Sequence, residues 1–344
     1  MDQSFMKEKK VMPLVVTMAI PMTISMLVNS LYNIIDSFYV AKISEQAMTA
    51  LSLVYPAQNL LIAVTVGFAI GMNAVISYYL GAGMKKLADT TATLGLFFNI
   101  LHSLLIGMLC IIGMPAFLGR FSSDPETLRL GTQYAGIVFL FAIPNGAGIS
   151  YEKMFQAIGR MKVSMISMLV GCIVNIILDP LFILPQFLGL GAIGAGIATM
   201  LSNLTAALFL LGNILFNQTS TVLRVDPKLL RYTREHVGRI LAIGFPSALQ
   251  IGLTAVAVAA QAKFVSKYAT QAVAGLGIAK KIDNLPLYFS IGLANGLLPL
   301  LAYNYSSGDQ QRRRDVLRVG CTISLSFCLI TLVVFEVFAP QCTA

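Results

Sequence analysis

The chain has 344 residues, of which 57% are apolar and 11% charged, where a water-soluble globular protein carries about 25% charged residues. A mean hydropathy of +0.79 assigns most of the chain to lipid and excludes a cytosolic enzyme, a secreted module and a disordered regulator. The net charge of +9 suggests nucleic acid only until the positions of the basic residues are known.

Charge-free runs of about 20 residues mark helices that cross the hydrocarbon core. The first, 11–35, follows Lys7, Lys9 and Lys10 and is too long for the apolar part of a cleaved signal peptide. Asn29, Tyr32, Asn33 and Asp36 follow the i, i+3, i+4, i+7 spacing there, a polar stripe ending in a carboxylate. The run 46–84 cannot hold two spans and a turn, so it reads as one helix of about 47–80 containing Pro56, Gly67 and Gly71. The third span, 90–119, carries His102, read as a packed histidine, and the fourth, 130–151, carries Asn145. In the fifth, 163–184, Asn175 and Asp179 lie one turn apart. Gly189-Leu-Gly-Ala-Ile-Gly is a literal G-x-G-x-x-G, but it joins two membrane helices with no acidic residue about 20 positions on. It reads as a hairpin turn after Pro185. The sixth span, 195–216, places Thr199 and Asn203 on one face, and a polar, basic linker, 217–239, follows. The seventh span is 240–262. The eighth, about 272–303, holds Lys280, Lys281, Asp283 and Asn284, with Lys280 and Asp283 spaced to pair. The ninth, 317–338, ends near an interfacial Glu336. Cys110, Cys172, Cys321, Cys328 and Cys342 lack metal or disulfide spacing and read as buried small hydrophobes.

With the N-terminus inside, 17 of the 24 Lys and Arg residues, Lys153 and Arg160 among them, fall in cytoplasmic segments. The positive charge therefore reads as topology, not nucleic-acid binding. Sliding the chain on itself by 225 positions pairs Pro21 with Pro246, Gly67 with Gly292, Gly71 with Gly296, Gly83 with Gly308 and Pro115 with Pro340. Over 21–115 there are 16 identities in 95 positions. The expected fold is an all-α polytopic membrane protein of two parallel-repeat lobes related by an axis along the membrane normal. The first lobe, 11–216, has six helices, and the second, 240–344, has three. Completing the symmetry requires twelve helices and roughly 440 residues, so the chain reads as truncated after the ninth.

Ionisable residues inside spans are costly and are functional candidates. Asp36 and Asp179 fall at similar depth in the outer half of the membrane, with Asn145, Thr199 and Asn203 at comparable depth. These groups either bond helices together or hold a cation. Two carboxylates sharing a site in low dielectric favour a shared proton, and oxygen donors with double negative charge suit sodium.

The stretch from Asn29 to Lys42, Asn-Ser-Leu-Tyr-Asn-Ile-Ile-Asp-Ser-Phe-Tyr-Val-Ala-Lys, resembles the first helix of the multidrug and toxic compound extrusion (MATE) family. So do Gln156-Ala-Ile-Gly-Arg-Met-Lys, Asn175-Ile-Ile-Leu-Asp-Pro-Leu-Phe-Ile and Gly194 to Thr199. The resemblance runs over nearly the whole chain and is strongest to bacterial MepA-like multidrug exporters. It implies a coupling-cation site at Asp36, Tyr32, Asn175, Asp179 and Thr199, with sodium as a possible ion at Asp36 and Asp179. Asn29, Asn33, Asn145, Asn203, Lys280, Lys281 and Asp283 are additional cavity candidates. Some family members use a glutamate on the seventh helix; this chain offers Gln250 and Thr254 there. The expected activity is proton- or sodium-driven export of amphipathic, cationic compounds by alternating access, without enzymatic chemistry or a cofactor beyond the coupling ion. Expected partners are small organic substrates and the lipid bilayer, with neither nucleic acid nor an obligate protein partner. The expected location is the bacterial inner membrane, N-terminus inside. The alternative is a flippase of the same superfamily for lipid-linked oligosaccharides, which an arginine-ringed cavity would favour.

Overall fold

The computed structural model describes all residues except 1, 2, 4, 41–43, 217–222, 266, 268, 269 and 339–344. The side chains of Asn33, Asp36 and Lys281, and the whole of Cys342, lie outside the described set. Helices α1 (Phe5–Glu8), α2 (Val11–Val40), α3 (Glu45–Gly81), α4 (Lys85–Leu118), α5 (Pro125–Leu140) and α6 (Ala142–Ala157) come first. Then follow α7 (Met161–Ile183), α8 (Gly191–Phe216), a 3-10 turn at Pro227–Tyr232, α9 (Thr233–Val265), α10 (Thr270–Ser306) and α11 (Gln310–Val337). Long uninterrupted helices are what lipid requires, because the backbone finds no water to bond there.

The reading of a chain that stops after the ninth of twelve helices does not hold. The described residues form eleven α-helices and one 3-10 helix. Counting charge-free runs overlooked the four-residue α1 and the division of the fourth span. That span bends by 44° between α5 and α6 and, counted as one, makes nine segments long and apolar enough to cross a membrane; otherwise there are eight. It also runs on to Ala157, six residues past the expected end. The cysteines need correction too. Cys172 is buried, but Cys110 and Cys328 are half-buried and Cys321 is exposed on α11.

The repeat is written into the helix ends. Helices α3 and α10 begin at 45 and 270 and end at 81 and 306, while α4 and α11 begin at 85 and 310. Each pair is offset by 225. The turns that follow α3 and α10 both rest on a glycine in the left-handed region, Gly83 (φ 72°) and Gly308 (φ 82°).

Two lobes meet along crossed pairs, α9 against α3 and α10 against α2. Their closest approaches fall on the repeated glycines. A Cβ added at Gly67 would lie 2.5 Å from Ala248 Cβ and its backbone N, and one at Gly292 would lie 2.5 Å from Thr23 Cα. One added at Gly71 would lie 2.8 Å from Gly244 N, and one at Gly296 would lie 2.7 Å from Ala19 Cα. Subtracting 225 from 248 and 244 gives 23 and 19. The same contact is made twice, with the repeats exchanged.

Helix α1 bridges the lobes near the chain's start. Met6 is fully buried; its carbonyl accepts from Arg312 Nε at 3.0 Å. Phe5 and Met6 press on Gly159, which has no Cβ to hold them off. The described part of the linker is fastened to α4, where Arg224 N donates to Asp89 Oδ1 (2.9 Å) and Asp226 N to Thr93 Oγ1 (3.1 Å).

Candidate functional site

Helices α2, α6, α7 and α8 enclose a cavity of about 120 Å³ within the first lobe, room for several water molecules. Helical spacing builds its wall. Asn145, Ile149 and Glu152 line up on α6, Met168, Cys172 and Asn175 on α7, and Asn203 and Ala207 on α8, with Asn29 and Tyr32 from α2. The small residues Gly148 and Gly171 let α6 and α7 stand close to α8; a Cβ on Gly148 would lie 2.9 Å from Ala207 Cβ.

Asn175 lines one side of the cavity, and Asp179 lies one turn further along α7. Asp179 is fully buried and Asn175 nearly so. Asn175 Nδ2 donates to Asp179 Oδ1 at 3.2 Å, while Asn175 Oδ1 has no hydrogen-bond partner among the described residues. On the other side is a second carboxylate, Glu152, which sequence reasoning did not select. Gln156 Nε2 donates to its Oε1 at 2.6 Å. Lys153, only 5% exposed, gives its ammonium to Gln156 Oε1 at 2.9 Å and stands 3.9 Å from Glu152. Asn73 of α3 reaches the same Gln156 oxygen at 3.5 Å.

Of the expected residues, Tyr32, Asn29, Asn145, Asn175 and Asn203 converge on this cavity, with Asp179 behind Asn175. Thr199 lies one turn from Asn203 but does not line it; its hydroxyl donates to Ala195 O at 3.0 Å. Asp36 and Asn33 belong to α2, but their side chains lie outside the described set, as does that of Lys281. Lys280 and Asp283 are not in this cavity. They pair with each other on α10 at 3.6 Å, both substantially exposed. Lys153, expected in a cytoplasmic segment, is buried within the protein, where Gln156 and Glu152 supply the oxygen partners that a buried ammonium needs. The Asn145-to-Glu152 spacing of seven residues was the signal available in the sequence, hidden by ending the span at the first charge.

The hairpin after α7 is a turn, with Gly189 (φ 61°) and Gly191 (φ 56°) in the left-handed region. His102 packs edge-on against Phe68, ring centroids 5.1 Å apart. It lines an apolar groove between α3, α4 and α9.

A family model described as MatE matches residues 21–181 and 246–343. The two stretches begin on Pro21 and Pro246, the prolines that the repeat superimposes. The chain is 29% identical over 321 residues to Multidrug export protein MepA of Staphylococcus aureus (strain bovine RF122 / ET3-1), covering 93% of this chain and 70% of that protein. It is similar in fold to a crystal structure of MATE in complex with MaL6, with TM-score 0.94 and 24% identity, covering 99% of this chain and 76% of that one. A multidrug resistance MATE family transporter of the MOP superfamily, in its outward-facing conformation, matches with TM-score 0.90 and 24% identity over 99% of this chain and 75% of that one.

Proposed function

The chain belongs to the MatE family, a multi-pass membrane transporter rather than an enzyme, and on that premise we propose that it exports amphipathic, cationic organic compounds in exchange for protons or sodium ions. The observation that carries this reading is the first-lobe cavity, where Asn29, Tyr32, Asn145, Asn175 and Asn203 converge, with the buried Asp179 bonded to Asn175 one turn along α7. A carboxylate buried in the membrane is costly unless a cation neutralises it, and hard oxygen donors suit a proton or sodium. Asp36 on α2 is the second carboxylate of the proposed unit, with Tyr32, Asn175 and Thr199 as its proposed polar members. Two lobes meeting on a repeated glycine seam support alternating access, one lobe rocking against the other. A flippase for lipid-linked oligosaccharides would call for arginines, and the described residues lining the first-lobe cavity include none.

Ethidium efflux from vesicles holding the purified protein tests the coupling. Export is expected when a pH gradient or a sodium gradient is imposed, and only one of the two gradients should suffice. Export that ignores both gradients would refute the reading.

The proposed orientation puts the N-terminus in the cytoplasm. Ser123, exposed between α4 and α5, should then lie outside, and Gln310, exposed at the start of α11, inside. In a background carrying Cys321→Ser, an impermeant maleimide should label Ser123→Cys in intact cells and Gln310→Cys only after permeabilisation. The reverse pattern would invert the topology.

A further inference from the structure

We propose that Glu152 is a second station for the coupling cation, the one from which it leaves toward the N-terminal side of the membrane. The proposal rests on the reading of the first lobe as the coupling site and extends it along the cavity. Asn145 and Glu152 are seven residues apart on α6, about 10 Å along the helix, and the cavity joins the Asn175 end to the Glu152 end without interruption. At the first end Asn175 Oδ1 is buried, faces the cavity and has no partner among the described residues. At the second end Glu152 gives one oxygen to Gln156 and lies on the cavity wall.

Asp179 accepts from the amide of Asn175 among its partners. Glu152 is already partly balanced. It has the Lys153 ammonium 3.9 Å away, itself anchored on Gln156 Oε1. In low dielectric a fixed positive charge at that distance opposes a second cation strongly. A proton or sodium ion is therefore held loosely at Glu152, as a point of release requires. The cavity wall contributes Tyr32 from α2 and Cys172 from α7, and α8 contributes no charged residue. Helices α3 and α4, which also pack on α6, present amides there: Asn73 to Gln156, and Asn99 to Ser150.

The test uses the full chain in vesicles, with ethidium as the exported compound. Proton or sodium concentration, whichever drives the parent protein, is varied on the N-terminal side. Glu152→Gln should keep ethidium binding within a few-fold and lower gradient-driven efflux at least about tenfold. It should also remove the dependence of efflux on cation concentration at that side. Glu152→Asp should restore most of both. Lys153→Met, where it folds, should shift the cation dependence to lower concentration. Efflux by Glu152→Gln with parental rate and cation dependence overturns the proposal. So do Gln and Asp variants that are equally slow with an unaltered cation dependence, since that is the behaviour of a structural pair. Asp179→Asn serves as the reference. If it still couples export to the gradient, the first-lobe reading itself fails; if it uncouples while Glu152→Gln is normal, only the second station is refuted.

Discussion

Gly292→Ala should melt below the parent protein in detergent and export more slowly, although it adds a single methyl group in the middle of a helix where alanine is the better helix former. The new Cβ would stand 2.5 Å from Thr23 Cα, 2.8 Å from Thr23 N and 2.9 Å from Met22 O. These are backbone atoms of α2, so no rotamer change relieves the contact, and α10 must retreat from α2. Overpacking of this kind costs about 1–3 kcal/mol. The repeat makes a stronger demand. Gly67→Ala places its Cβ at 2.5 Å from the backbone N of Ala248, and the two substitutions should lower the melting temperature by similar amounts. Gly275→Ala, also on α10 with nothing within 4 Å of its Cβ, should melt no lower than the parent. Gly67→Ala and Gly292→Ala variants that melt and transport as the parent would show that the seam yields freely.

Asp179→Asn should leave ethidium binding within a few-fold of the parent and bring gradient-driven efflux to near background, a loss of about tenfold or more. Asparagine keeps the shape of the side chain and an oxygen for Asn175 Nδ2, so the helix contacts survive and only the charge is lost. Asp36→Asn should behave alike if the two carboxylates serve one cation. The double variant should then be little worse than either single one, because members of one unit are not additive. Normal, gradient-dependent export by both single variants at normal expression would make these aspartates helix-bonding groups and move the coupling site elsewhere.

Most of the long helices were legible in the sequence because lipid leaves the chain few options: a run free of charge and long enough to cross must be helical. The boundaries of α3 follow from such a run, whereas α10 carries Lys280, Lys281 and Asp283 within it; the glycines at an offset of 225 announced the two-lobe repeat. The bend at Phe141 has its signal in Pro144, which has no N–H to give Leu140 O and whose ring crowds that carbonyl; counting charge-free runs passes over it. The Asn175–Asp179 turn was visible as a spacing along one helix. Glu152 and Lys153 were not, because a charge at the end of an apolar run looks the same whether it meets water or a partner. Only the fold brings Asn73 and Gln156 beside them.

The reciprocal seam has a bearing on ancestry. A surface that meets its own counterpart with the roles exchanged is the signature of a two-fold homodimer, here with both partners on one polypeptide. A half-length forebear carrying one such helix pair would have closed on a second copy of itself through the same glycines, in parallel orientation across the bilayer. Joining the copies end to end fixed their ratio at one to one and released each face to change alone. That divergence is recorded in the seam, where Gly67 meets Ala248 but Gly292 meets Thr23, and Gly71 meets Gly244 but Gly296 meets Ala19. The four glycines are what both halves have kept.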